Sequence, residues 1–206
     1  MVASLLQRKR HRSEPVKRPS DRAVFFRNWL QDPFRVASIA PSGRLLAKLM
    51  ASGLRDGARV VELGAGTGTL TDAIVANGVQ SRDLYLVEQN EAFVGILERR
   101  FPQATVLHAD AASLREHLGT VVGSIDCVVS GLPIVWFERD TKRRILGEAF
   151  ALLRPRGCFH QFTYLGRPPV GRGLLDELGL DAELIGVSPI NLPPAFVYRF
   201  TRKTDE

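Results

Sequence analysis

The stretch "VVELGAGTGTLTDAIV", Val60 to Val75, decides the fold. It opens with four residues of strand character, turns through Gly64, Gly66 and Gly68, and continues with the apolar spacing of a helix, which together make the first half of a β-α-β unit. Glycine is required in such a turn for a physical reason. The chain must adopt backbone angles closed to other residues, and the missing β-carbons let the main chain approach a ligand. The spacing narrows the ligand. A dinucleotide fingerprint places its last glycine at position 69, which is Thr69, and no G-K-S/T follows to make a P-loop.

Downstream of this unit, short runs rich in Val, Ile and Leu alternate with stretches of helical period, the pattern of a parallel sheet covered on both faces. The expected strands are 59–63, 84–88, 105–108, 125–130 and 157–163. The expected helices are 70–77, 91–101 and 139–153, the last stopped by Pro155 and Gly157, with a short helix near 174–178. "DAELIGVSP" and "AFVYRFTR", joined by "INLPP", read as a hairpin-like end to the sheet. The fold class expected is therefore α/β, a Rossmann-like seven-stranded sheet. An N-terminal helical extension precedes it, with helices at 21–31 and 42–51 capped by Asp21 and Ser42, and with Pro33 and Pro41 interrupting the path between them.

At 206 residues and 45% hydrophobic composition the chain suits one domain with an appendage. We divide it into a basic, flexible tail over 1–20, N-terminal helices over 21–56 and a ligand-binding core over 57–206. The net charge of +6 is concentrated at the front, where residues 1–48 hold 11 Lys and Arg against 3 Asp and Glu, while the rest holds 17 against 19. Such a segment is drawn to nucleic acid or to anionic lipid, at about 1 kcal/mol per cation near a membrane. In the first helix Phe25, Phe26, Trp29 and Leu30 fall on one face and Arg22, Arg27 and Asn28 on another. No apolar run reaches the length of a membrane span, and the N-terminus lacks a secretory pattern, so a cytoplasmic protein is expected. Cys127 and Cys158 read as apolar core residues in buried strands, which leaves no disulfide framework and no zinc site.

Acids mark the ends of the first three strands. Glu62 precedes the glycine turn, and Glu88 ends the second strand, placed to accept two ribose hydroxyls; "HAD" puts Asp110 just past the third. Loop and acids together resemble the class I S-adenosylmethionine-dependent methyltransferases, and the resemblance runs in register through residue 163. It implies S-adenosylmethionine as cofactor, with S-adenosylhomocysteine as product. It implies that Gly64, Ala65, Gly66, Thr67 and Gly68 cradle it, that Glu88 and Gln89 meet the ribose, that Asp110 and Ala111 meet the adenine, and that Glu62, Ser42 and Ser130 complete the site. On this reading Glu62 anchors the methionyl ammonium, and "IAPSGR", Ile39 to Arg44, folds over as a lid.

The acceptor motif is "SGLPIVWF", Ser130 to Phe137. Enzymes that methylate the exocyclic amines of bases carry N-P-P-Y or N-L-P-Y there. Both the amide and the adjacent ring are absent, which argues against a nucleic-acid substrate despite a layout similar to the rRNA adenine dimethylases. The chain instead resembles the bacterial phospholipid N-methyltransferases, through "FFRNWLQDPFRVASIAPSGRLLAKLM", "SGLP" and "NLPPAFVYRF". That resemblance implies an enzyme, peripheral to the inner membrane, that methylates phosphatidylethanolamine toward phosphatidylcholine, its front helix lying in the anionic headgroup plane; a monomer is expected. No metal is expected. Ser130, Gly131 and Tyr164 are the candidates to receive the one proton that must leave, and the four histidines are taken as incidental. Leu132, Pro133, Trp136 and Tyr198 are the candidates to line the acceptor space and Arg199 the candidate phosphate clamp. Strand alternation puts Tyr198 and Arg199 on opposite faces, so the two cannot both serve unless the strand bulges. An RNA or small-amine methyltransferase, and a catalytically silent cofactor-binding protein, are the alternatives.

Overall fold

The computed structural model describes residues 41–191 and 193–204, with side chains from Gly43 onward. The expected tail, the first helix with Phe25, Phe26, Trp29 and Leu30, and the start of the lid at Ile39 lie outside the described residues, as does the side chain of Ser42. Seven strands, β1 (Val60–Leu63), β2 (Leu84–Glu88), β3 (Thr105–His108), β4 (Ile125–Ser130), β5 (Leu153–Thr163), β6 (Leu180–Ser188) and β7 (Ala195–Arg202), form one sheet in the order β3-β2-β1-β4-β5-β7-β6. The first five are parallel, and β7 runs antiparallel between β5 and β6. Strand order reverses beside β1, with β2 on one side and β4 on the other. In open α/β sheets the crevice at that reversal, outside the carboxyl ends of the strands, is where ligands bind.

Among the described residues six helices cover the sheet: α1 (Pro41–Met50), α2 (Thr69–Ala76), α3 (Glu91–Arg100), α4 (Leu114–Leu118), α5 (Arg139–Leu152) and α6 (Arg172–Glu177). Alternation along β1 sorts the core into two layers. Val61 and Leu63 join Val128, Phe159 and Phe200 beneath α4, α5 and α6, whereas Val60 joins Leu86, Val129 and Val197 beneath α1, α2 and α3. All four residues of β1 are buried, and each apolar one contributes about 2 kcal/mol by leaving water. Leu46 and Met50, one helical turn apart and buried, seat α1 on this second layer.

Three boundaries differ from expectation. Pro41 opens α1 instead of interrupting the path to it, since a first helical position loses nothing by lacking an N–H; Ser42 therefore lies within the first turn, not at a cap. β5 begins at Leu153, directly after α5, because Leu153 pairs with Ile125 before a bulge lets Cys158 pair with Cys127. Pro155 sits in that bulge, where no ladder hydrogen bond is required of it. The five-residue α4 is too short to show a helical period in sequence.

Candidate functional site

A cleft of about 230 Å³ opens where the order reverses, lined by Gly64, Gly66, Glu88, Gln89, Asp110 and Ala111 on one side and by Gly131, Leu132, Phe137, Thr141 and Ile145 on the other. Gly64, Gly66 and Gly68 all have positive φ. At Gly64 a β-carbon would stand 2.8 Å from Leu132 Cδ2, so a side chain there would both strain a backbone at φ +68° and push Leu132 aside. At Gly68 it would meet the Phe101 ring at 2.5 Å. That glycine serves the packing of the turn on α3 and is absent from the cleft wall, as are Ala65 and Thr67; the Thr67 carbonyl accepts from the Arg100 guanidinium.

Glu88 holds the turn to the end of β2. Its Oε2 accepts from the Gly66 N–H at 2.9 Å and its Oε1 from the Asn90 N–H at 2.8 Å, which leaves each oxygen a further lone pair at the cleft. The Gln89 carbonyl faces His108 Nε2 at 2.9 Å; a carbonyl only accepts, so this nitrogen carries the proton and the imidazole is a brace for β2 and β3. Asp110 accepts from the Ala112 N–H at 2.8 Å and stands exposed at the rim.

Glu62 is wholly buried on the α2 side of β1. The Thr71 hydroxyl donates to its Oε2 at 2.6 Å, while Oε1 has no partner. Burial pushes the carboxyl up to about 8; the charges of Asp72 and Glu88 push the same way, and the Thr71 hydrogen bond opposes them. A buried acid with one unsatisfied oxygen is costly in isolation and calls for a cationic or N–H partner. The glycine turn and the two rim acids fit a nucleoside, and Glu62, buried behind the turn and outside the cleft wall, leaves one oxygen that an amino-acid tail could meet.

On the acceptor side Ser130 is buried, its Oγ accepting from the Leu132 N–H at 3.3 Å, and the Gly131 N–H donates to the Leu63 carbonyl at 2.8 Å. Gln161 was not anticipated. Its Nε2 donates to the carbonyls of Leu132 and Phe162, each at 2.9 Å, and its Oε1 is buried without a partner. Because both contacts are to carbonyls, the orientation of the amide is fixed. The signal was present in the sequence as a lone amide within "GCFHQFT", but its partner loop lies 29 residues away.

Other expected residues fall elsewhere. Pro133 is buried and outside the cleft wall, and Trp136 is 51% exposed, turned out of it. Tyr164 stands just past β5, edge-on to Phe162, and desolvation pushes its phenol up, which unsuits it to accept a proton at neutral pH. Tyr198 packs in the α5-side core. Arg199 lies on the other face and donates to Glu183 at 2.5 Å, so a lipid phosphate would have to displace that pair to use the guanidinium as a clamp. No bulge brings the two side chains together, since the register shift of this hairpin lies in β6, between Leu184 and Gly186. Finally, Cys127, Cys158 and His160 converge on the α1 side, their donor atoms within 4.8 Å of one another, where no such cluster was expected.

Residues 60–157 match a family model described as a methyltransferase domain. The chain is 31% identical over 185 residues to the ornithine lipid N-methyltransferase of Singulisphaera acidiphila, a match spanning 85% of this chain and 93% of that protein. Among solved structures it is similar to the 1,6-didemethyltoxoflavin-N1-methyltransferase of Burkholderia thailandensis, with bound S-adenosylhomocysteine (TM-score 0.63, 18% identity, 94% of this chain and 93% of that one). It is likewise similar to magnesium protoporphyrin IX methyltransferase from Synechocystis, with bound S-adenosylmethionine (TM-score 0.62, 16% identity, 91% and 99%). These two structures share its overall fold. The chain belongs to the class I S-adenosylmethionine-dependent methyltransferases, in the same family as the ornithine lipid N-methyltransferase.

Proposed function

We propose that this enzyme methylates the amine of a membrane-lipid headgroup, an aminolipid of the phosphatidylethanolamine or ornithine-lipid type. The observation that carries the reading is the acceptor wall. Gly131, Leu132, Phe137 and Ile145 face the cleft beside the glycine turn, uncharged and largely apolar, and offer no amide and ring pair for a nucleobase. The relative's name supports a lipid amine.

The bound sulfonium supplies the methyl group and departs as a neutral thioether, so the protein has chiefly to position the partners and exclude water. Glu88 would hold the ribose, Asp110 the adenine and Glu62 the ammonium of the cofactor. An alkyl ammonium titrates near 10, leaving about one in 10³ as free amine at pH 7. Desolvation against Leu132, Phe137 and Ile145 disfavours the charged form and raises that fraction. Gln161 fixes the Leu132 carbonyl, and with it the height of the wall.

The lipid reaches the cleft at the bilayer surface. Large apolar side chains, Trp136, Tyr164, Leu165 and Ile190, stand exposed on the loops after β4, β5 and β6, along the same rim. α1 starts on this side too: Gly43 and Arg44 share a groove with Thr69 at the start of α2. Residues 21–30, with Phe25, Phe26, Trp29 and Leu30 opposite arginines, would lie in the headgroup plane of an anionic membrane. The enzyme would then be a peripheral protein of the cytoplasmic face.

The test is labelled cofactor with vesicles of phosphatidylethanolamine, of ornithine lipid, and of phosphatidylglycerol alone. Label entering either aminolipid supports the reading, and label found only in added RNA or in soluble amines overturns it. Phe25→Asp with Trp29→Asp should abolish sedimentation with anionic vesicles while cofactor affinity stays within about threefold, under ~1 kcal/mol.

A further inference from the structure

We propose that Cys127, Cys158 and His160 form a binding site for a thiophilic d¹⁰ metal ion of the zinc class, on the face of the sheet beneath α1. The argument starts from register. Cys127 and Cys158 are direct partners across the parallel pair β4 and β5, and His160, two residues beyond Cys158, shares its face of the strand. Three soft or borderline donors are thus set on one surface by backbone pairing alone. Neither the cofactor cleft nor the acceptor wall uses any of them.

The dimensions fit. Cys158 Sγ lies 3.6 Å from Cys127 Sγ and 3.5 Å from His160 Nε2, and the third separation is within 4.8 Å. Tetrahedral zinc, with Zn–S of about 2.3 Å and Zn–N of about 2.0–2.1 Å, requires edges of roughly 3.8 Å between sulfurs and roughly 3.5 Å between sulfur and nitrogen. Even with the third edge at its upper limit, a point roughly 2.4 Å from all three donors exists, so small side-chain adjustments complete the coordination. Linear two-thiolate coordination needs the sulfurs farther apart than they stand.

The histidine is prepared for a ligand. Its Nδ1 lies 2.8 Å from the Met50 carbonyl, which can only accept, so Nδ1 carries the proton and Nε2 presents its lone pair toward the sulfurs. A ligating imidazole that donates its other N–H to a backbone carbonyl is the usual support of a metal site. Arg199, which pairs with His160 in register, is itself paired with Glu183 at 2.5 Å, so its charge is partly offset before an ion binds. Binding releases two thiol protons to solvent and leaves a neutral set of two thiolates and one divalent cation. Cys158 is the less buried of the two thiols, so a fourth ligand, water or a small anion, would enter from its side. Since Met50 ends α1, the ion would fasten that helix to the sheet and act structurally. The site stands apart from the lipid reading, and neither depends on the other.

The experiment uses the full chain, reduced and freed of metal, titrated with Co²⁺ and then Zn²⁺. The expected result is one equivalent of cobalt with the visible bands of tetrahedral coordination and thiolate charge transfer, displaced by zinc, and a higher melting temperature with zinc present. Zinc should also protect both thiols of the wild type from alkylation, a reading that needs no variant. Cys158→Ser and His160→Gln should each weaken cobalt binding at least tenfold. An octahedral spectrum, unchanged thiol reactivity under zinc, equal cobalt affinity in wild type and variants, or a Cys127–Cys158 disulfide forming in air without metal uptake would each overturn the site.

Discussion

The two walls of the cleft are built on different plans. The wall from β1 to β3 is local: a turn, three strand ends and the acids that directly follow or close them, each held by hydrogen bonds to near neighbours, such as Glu88 to Asn90 and Asp110 to Ala112. The wall from β4 to β5 is assembled from afar, with Gln161 reaching back to Leu132 and α5 supplying Thr141 and Ile145. On the proposed function the first wall would hold a cofactor common to many enzymes and the second an acceptor particular to this one. Substitutions on the two sides should therefore separate cofactor affinity from acceptor turnover.

The largest effect is expected where the walls touch. Gly64→Ala imposes a β-carbon at positive φ, costing about 1–2 kcal/mol, and drives it into Leu132. Cofactor affinity measured by calorimetry should fall by about 100-fold, or ~2.7 kcal/mol, and turnover with it. Gly66→Ala, also at positive φ but with open space around the new carbon, should cost only the strain, about tenfold. Equal losses at the two positions would show that Leu132 yields freely and that the walls are uncoupled.

Gln161→Leu should break the second wall alone. The carbonyls of Leu132 and Phe162 lose the amide donor, although Leu132 keeps the Ile134 N–H at 2.9 Å, so the cost in stability is about 1–3 kcal/mol in all. Turnover of the lipid amine should drop at least tenfold in kcat, with cofactor affinity held within about threefold. A fall in cofactor affinity as large as that in turnover would erase the distinction between the walls.

How much of this was legible in sequence follows the same division. The turn, Glu88 and Asp110 could be located because their geometry is set within a few residues, and because strand ends in this architecture converge. Of the acceptor wall, Gly131 and Leu132 were legible in the motif after β4, but Gln161 was not, since its pairing with Ser130, like that of Cys127 with Cys158, depends on the β4–β5 register, which a three-residue bulge shifts. Arg199 was legible only in part: alternation separated it from Tyr198, but nothing local announced Glu183 as its counterion. The short α4 and the immediate passage from α5 into β5 left no period to read.

Glu62 offers a titration that reports on the first wall from beneath. Its folded pKa of about 8 stands above the ordinary 4.5, so the stability owed to its neutral form is complete below pH 4.5, declines between there and pH 8, and is gone above. Glu62→Gln should flatten that decline in melting temperature. If the carboxylate receives the cofactor's ammonium, binding at pH 7 should release close to one proton, read from calorimetry in buffers of different ionisation heat. The variant should release none and bind at least tenfold more weakly. Undiminished proton release in the variant would move the titrating group to another residue.

The smallest effect belongs to Arg199→Ala. The pair with Glu183 is exposed on both sides, 43% and 66%, and such pairs are worth about 0–1 kcal/mol because water screens them. Melting should shift by no more than a few degrees, and KM for the lipid should stay within about twofold. A tenfold rise in lipid KM would mean that the guanidinium leaves Glu183 for a phosphate when lipid binds, and the headgroup would then sit over β5 and β7, not against Leu132. The two placements predict opposite outcomes for Gln161→Leu and Arg199→Ala, so measuring both variants against the same vesicles locates the acceptor.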